Sequence, residues 1–327
     1  MVFLCNGVAG LTTLLVASTG GHLKELHYLH RRLSGVQGPF RWVTFDTPQS
    51  RSLLEGDNVD FVPFVGGRDP ANVTRNLASA GRILRDRDLD TVVSTGSAVA
   101  LPFFGLARVR RLRCHYIECS ARVDGPSVTG RLISSIPGVN LYAQHHSWSS
   151  KKWGYSGSVF DSFERTDLPV VRKPQLGKVV VTVGTYRGYG FQRLIRRVLE
   201  ILPSETDVLW QTGDTDVSDF GITGHDTIPE RDLTEAMREA DVVVSHAGIG
   251  TALAAFEVGK SPLLVPRRSS WAEHVDDHQT QIASELRSRG LIVTVEADAL
   301  KYDDLLAAVG RRVTTPAVVP PFVTTDR

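Results

Sequence analysis

Residues 241–281 read DVVVSHAGIGTALAAFEVGKSPLLVPRRSSWAEHVDDHQTQ, and this stretch decides the fold. An apolar run at 242–244 leads into a turn of small residues and a helix beginning near Gly250. A second apolar run follows at 263–265, then a polar loop ending in a His-Gln pair. Strand, glycine turn and helix start leave backbone N–H groups and a helix dipole converging on one point, which suits a phosphate or diphosphate. Glycine belongs in such a turn because a larger side chain would hold the anion away from the backbone.

Working outward, strand-like and helix-like patterns alternate along the whole chain, as parallel α/β layers require. In the first half the pattern predicts strands at 14–17, 42–45, 61–64, 91–94, 115–118 and 140–143. Helices are expected near 22–34, 72–87, 98–108 and 127–135. A hydrophilic, proline-bearing stretch at 165–177 reads as a linker. The pattern restarts at KVVVTVGT, with helices at 191–202, 233–239, 279–289 and 299–311 and strands at 207–211 and 291–295. The expected architecture is therefore α/β, with two doubly wound Rossmann-like domains at 1–170 and 177–312 and an irregular proline-rich tail at 313–327. Ligands bind at the carboxyl ends of such strands.

With 42% apolar and 22% charged residues the composition is that of an ordinary globular protein, and the formal net charge of +1 gives no global field for nucleic acid. The charge is uneven: residues 1–170 hold 19 Lys+Arg against 14 Asp+Glu, and the remainder 18 against 22. A basic first half suits an anionic membrane surface or a pyrophosphate-bearing acceptor. Three cysteines without metal-ligand spacing point to a reduced, cytoplasmic protein. The apolar opening run is broken by Asn6 and two glycines, too short and interrupted for a membrane-spanning helix. Residues 101–106 place apolar bulk beside Arg108, Arg110, Arg111 and Arg113. That pattern reads as a core helix with a basic C-terminal end, or as a peripheral contact with the inner face of the plasma membrane.

Four blocks carry chemistry. ASTGGHLKEL (17–26) sets Gly20 and Gly21 before a helix with His22 in its first turn, where the dipole disfavours the imidazolium and keeps a base neutral. YIECSARVDGPSVTGRL (116–132) puts Glu118 at a strand end, with Arg122 and Asp124 on the following loop. VTVGTYRGYGFQRLIRRV (181–198) offers Gly184 and Thr185 in a turn and Arg187 as a cation for a diphosphate. The opening stretch adds Ser245, His246, Gly248, Gly250 and Thr251, then Arg267, and then His278 and Gln279 at a helix start. The amide of Gln279 can donate and accept at once, which suits a sugar diol, and Asp277 reads as the cap of its helix. Asp214-Thr215-Asp216 reads as a solvated loop, so no metal ligands are assigned.

These blocks together resemble inverting, two-domain (GT-B) glycosyltransferases of the GT28-like, peptidoglycan N-acetylglucosaminyltransferase-like family. They look most like a fusion of the two-subunit bacterial exopolysaccharide and dolichol-pathway enzymes. The resemblance implies two domains facing a central cleft. It also implies metal-independent transfer from a nucleotide-sugar, a UDP-sugar, to a lipid-linked saccharide in cell-surface polysaccharide or glycolipid synthesis, with no cofactor. By the same resemblance Gly184, Thr185, Arg187, Ser245, His246, Gly248, Gly250, Thr251, Arg267, His278 and Gln279 hold the donor. Gly20, Gly21, Arg122 and Asp124 lie on the acceptor side, with His22 or Glu118 as the catalytic base. The family's ribose-binding glutamate falls on Ala254, leaving Glu257, one turn on, as its substitute. Two other readings stay open: a nucleotide-sugar-binding subunit that recruits a partner without catalysis, and a nucleotide-sugar epimerase.

Overall fold

The computed structural model describes residues 11–36, 38–65, 70–167, 175–185 and 188–325. The chain divides into two compact units. The first contains the described residues up to Cys119, Gly125–Gly157 and the chain end from Pro321; the second contains Ser120–Asp124 and Ser158–Pro320. The sequence placed the junction in 165–177, of which 168–174 lie outside the described residues.

In the first unit, β1 (Thr12–Ala17), β2 (Leu33–Ser34), β3 (Phe40–Phe45), β4 (Val59–Val62), β5 (Leu89–Gly96), β6 (Arg113–Ile117), β7 (Asn140–Ala143) and β8 (Trp153–Tyr155) appear in turn. All but β2 form one parallel sheet in the order β4-β3-β1-β5-β6-β7-β8. Helices α1 (Gly21–Leu29), α2 (Pro48–Leu53), α3 (Pro70–Ile83), α4 (Ala100–Val109) and α5 (Val128–Ile133) connect the strands. Leu14, Val16, Val43, Val92 and Cys114 pack with Phe103, Phe104 and Ala107 of α4 in one cluster, so α4 is a core helix. Two of the four arginines at its basic end make structural contacts: Arg108 donates to the carbonyls of Pro137 and Leu112, and Arg113 pairs with Asp90.

In the second unit, β9 (Glu164–Asp167) precedes a six-stranded parallel sheet. Its members are β10 (Lys178–Thr182), β11 (Asp207–Gln211), β12 (Gly224–His225), β13 (Val242–His246), β14 (Leu263–Val265) and β15 (Val293–Thr294), in the order β12-β11-β10-β13-β14-β15. The connecting helices are α6 (Gln192–Ile201), α7 (Glu230–Glu239), α8 (Ile249–Glu257), α9 (His278–Ser288) and α10 (Tyr302–Val309). The valines of β10 serve both faces: Val179 and Val181 pack with Leu194 and Val198 of α6, and Val180 packs with Leu233 and Met237 of α7. Burial on two faces explains why these strands read as continuous apolar runs.

The tail is more ordered than its prolines suggest. β16 (Arg311–Thr314) pairs antiparallel with β9, and β17 (Phe322–Val323) pairs with β2 in the first unit. Phe322 is fully buried, with its ring 5.7 Å from that of Tyr142, whose hydroxyl donates to the Thr325 carbonyl at 3.1 Å. Outside these two short strands the tail is irregular, as its prolines predict: residues 315–321 form no helix or strand.

Candidate functional site

In a doubly wound sheet the strand order reverses at one crevice, and ligands gather at the strand carboxyl ends there. In the first unit the reversal lies between β1 and β5 and in the second between β10 and β13. Gly20, Gly21 and His22 follow β1 at the first point, and Gly184, Ser245, His246, Gly248 and Gly250 lie at the ends of β10 and β13 at the second.

At the first, Gly20 (φ 79°) takes the left-handed turn that ends β1 and starts α1. His22 then leans on the end of β5: its Nδ1 donates to the Thr95 carbonyl at 2.9 Å, while the Thr95 hydroxyl donates to the His22 carbonyl at 2.7 Å. This pairing sets the tautomer with hydrogen on Nδ1 and the lone pair on Nε2. Gly96 makes room, since a Cβ there would stand 3.3 Å from His22 Cε1. Glu25, one turn further along α1 and fully buried, and Cys119 each bring a polar atom within 4.8 Å of the imidazole. Gln144 donates both to Glu25 and to the Glu118 carbonyl.

Glu118 is fully buried and differently employed. Its carboxylate accepts the Cys119 N–H at 3.1 Å, the Ser127 N–H at 3.0 Å and the Ser127 hydroxyl at 3.1 Å. A Cβ on Gly130 would lie 2.0 Å from Glu118 Oε2, so only glycine admits the carboxylate beneath α5. Glu118 thus fastens the 118–127 loop to the start of α5. Arg122 and Asp124 group with the second unit, where Arg122 Nη1 stands 3.5 Å from Asp276.

At the second point, three glycine turns converge. A Cβ on Gly184 (φ 85°) would meet the His246 ring at 2.7 Å, one on Gly248 would meet it at 2.2 Å, and one on Gly213 would meet the Gly184 carbonyl at 2.1 Å. The His246 imidazole is slotted between bare backbones, and its Nδ1 lies 3.3 Å from the Ser245 hydroxyl. Burial, reinforced by the Arg267 charge, pushes its pKa down to about 3, so the ring is neutral. Helix α8 starts at Gly248 with no side-chain cap, and Gly250 and Thr251 stand in its first turn. Its leading N–H groups are therefore available to an anion.

Arg267 is only 1% exposed. Its guanidinium donates to the Val183 carbonyl and lies 5.7 Å from the Phe191 ring centre, while Nε has no hydrogen-bond partner among the described residues. Burial lowers its pKa to about 10, so it stays charged. Gln279 Oε1 accepts the Arg267 backbone N–H at 3.0 Å, which commits the amide oxygen and leaves the NH2 side to donate. His278 Nδ1 meets Asp276, and burial lowers its pKa. Asp277 occupies the expected cap position, but its carboxylate accepts the Ser269 N–H at 2.8 Å instead. Thr185 lies in the loop after β10, and Arg187 lies outside the described residues.

Glu257, offered by the sequence in place of Ala254, is the last residue of α8. It is exposed at the far end of α8, roughly 10 Å along the axis from Gly250. Ala254 is buried against Val180, Val243 and Met237. The sequence reading missed Thr95, Gly96, Glu25, Gly213 and Asp276. Of these, Glu25 was legible as the residue one helical turn after His22.

Residues 178–309 match the glycosyltransferase family 28 C-terminal domain. A UDP-N-acetylglucosamine–N-acetylmuramyl-(pentapeptide) pyrophosphoryl-undecaprenol N-acetylglucosamine transferase of Shewanella amazonensis is 27% identical over 341 residues, covering 93% of each chain. In its second half the chain is similar to that family's domain. MurG of Acinetobacter baumannii superposes on this chain with a TM-score of 0.52 at 20% identity, over 90% of this chain and 89% of that one. UDP-GlcNAc 2-epimerase of Neisseria meningitidis reaches 0.58 at 12% identity, over 91% and 98%. At such identities both show a shared fold, GT-B with two parallel-sheet domains, and the epimerase likeness extends no further. No helix of the described residues is long and apolar enough to cross a membrane.

Proposed function

We infer that the chain is an inverting glycosyltransferase that moves a sugar from a UDP-sugar to a lipid-linked saccharide acceptor. The observation that carries this reading is the turn around His246. Glycine backbones, the uncapped start of α8 and the buried Arg267 charge converge within the segment that matches the family 28 domain. A diphosphate supplies the negative charge this arrangement lacks.

Ser245, Gly248, Gly250 and Thr251 line the diphosphate, with Gly184 and Thr185 on the neighbouring loop. Gln279 donates to a sugar hydroxyl and His278 stands beside it. As the bond to the sugar C1 breaks, charge growing on the leaving diphosphate is stabilised by N–H groups, the α8 dipole and Arg267. His22, with its lone pair on Nε2, takes the proton from the attacking acceptor hydroxyl. Thr95 holds the tautomer, and Glu118 acts at one remove by holding the loop. Gly20 and Gly21 let the acceptor approach the backbone. No step needs a metal, and the reaction belongs at the cytoplasmic face of the membrane that carries the lipid acceptor. The 27% identical transferase relative favours this reading over the epimerase and over a non-catalytic subunit.

The test is calorimetric titration with UDP in EDTA. Binding is expected in the unaltered protein and at least about tenfold weaker binding in Gly250→Asp, whose carboxylate repels the anion in the first turn of α8. Absence of UDP binding at millimolar concentration overturns the reading.

A further inference from the structure

The loop between β14 and α9, together with the first residue of α9, carries a constellation to which the proposed transfer assigns no chemical step, although its last member, His278, adjoins Gln279. His274, Asp276 and His278 alternate along it, and one ligand atom from each lies within 4.8 Å of the other two. His274 Nδ1 stands 3.6 Å from Asp276 Oδ1, and His278 Nδ1 meets that same oxygen. The two imidazoles meet edge to face, with centres 4.7 Å apart. In a tetrahedral site with bonds of about 2.0 Å, neighbouring ligand atoms stand roughly 3.3 Å apart. Small side-chain rotations would bring this trio to that spacing.

The loop is held in place around them. Glu273 pairs with Arg193 at 2.9 Å and accepts the Arg268 N–H at 3.0 Å, and Asp277 accepts the Ser269 N–H. Asp276 Oδ2 is braced by Arg122, and His274 stacks on Tyr189 with ring centres 5.8 Å apart. Contacts of this kind orient ligands from outside a metal's own shell. Two imidazoles and one carboxylate select a borderline transition metal over magnesium or calcium, which take oxygen ligands.

The geometry points to a binding site for one divalent transition-metal ion of the Zn2+ class on His274, Asp276 and His278. Three protein ligands leave a fourth position open. The site shares His278 with the proposed donor pocket, but its geometry is argued without the donor.

The test uses the full chain stripped with EDTA and then titrated with Zn2+ and Co2+. One equivalent of Zn2+ should bind saturably, and Co2+ should give the intense visible absorption of a four-coordinate ion. His274→Ala and His278→Ala should each weaken Zn2+ binding roughly 100-fold. Affinity unchanged in both variants, no saturable binding, or only the feeble bands of six-coordinate Co2+ would each overturn the assignment. If neither variant folds, the Co2+ spectrum of the unaltered chain decides alone. UDP binding measured in EDTA separates this result from the donor reading, because it needs no ion.

Discussion

His22 shows how a single side chain is set for its task by the backbone around it. The Thr95 carbonyl fixes one nitrogen as donor, so the other must accept. His22→Ala is expected to lower kcat by about 10²–10⁴-fold while leaving UDP affinity unchanged, measured by turnover with a lipid-linked acceptor beside calorimetry. A variant with full turnover removes the base role. His246 makes a second statement, about acid. Its folded pKa is about 3 and its unfolded value about 6.5, so between these limits the unfolded chain binds a proton that the folded chain refuses. Stability therefore falls on acidification, approaching about 1.4 kcal/mol per pH unit from this one group. Urea midpoints measured between roughly pH 7 and pH 5 should fall less steeply in His246→Gln than in the unaltered protein. Equal slopes would show that His246 does not control the acid limb.

Among elements, the contrast between α5 and α8 is instructive. Helix α5 has its N-terminus closed by Ser127 and the buried Glu118, whereas α8 begins at a glycine with no side-chain cap. One end is filled by the protein and the other is available to a ligand. Glu118→Gln turns an amide toward donors and is expected to cost about 1–3 kcal/mol in urea unfolding while leaving the pH–rate profile of the folded enzyme in place. A shifted profile would return Glu118 to the list of bases. Most parallel strands were legible because they are buried on both faces: the runs at 140–143, 207–211 and 263–265 coincide with β7, β11 and β14. The short β8, β12, β16 and β17 were not, since two to four residues carry too little pattern, and for β16 and β17 partners distant in sequence decide the pairing. The turn from β13 into α8 was readable from its glycines. The duty of Glu118 was not, because a strand-end carboxylate looks the same whether it meets substrate or a helix start.

For the whole molecule, each unit has its own core and the chain end contributes to the first. Phe322 buries its ring against Tyr142 in that unit. Phe322→Ala is expected to destabilise it by about 3–5 kcal/mol, with UDP affinity retained by the second unit. Tryptophan fluorescence during urea unfolding, with and without UDP, reads the two effects separately. A loss of UDP binding in step with unfolding of the first unit would show that the units are not separable in stability.

The strand that Phe322 opens also bears on how the protein is made. The first unit begins near the start of the chain yet takes β17 from its end, with nearly all of the second unit between them. During synthesis the second unit can finish as soon as its own residues have emerged, but the first must wait until β17 has emerged as well. Dividing the gene at the junction would strand β17 on the wrong polypeptide. The two halves would then be products that exchange a strand, rather than two independent proteins.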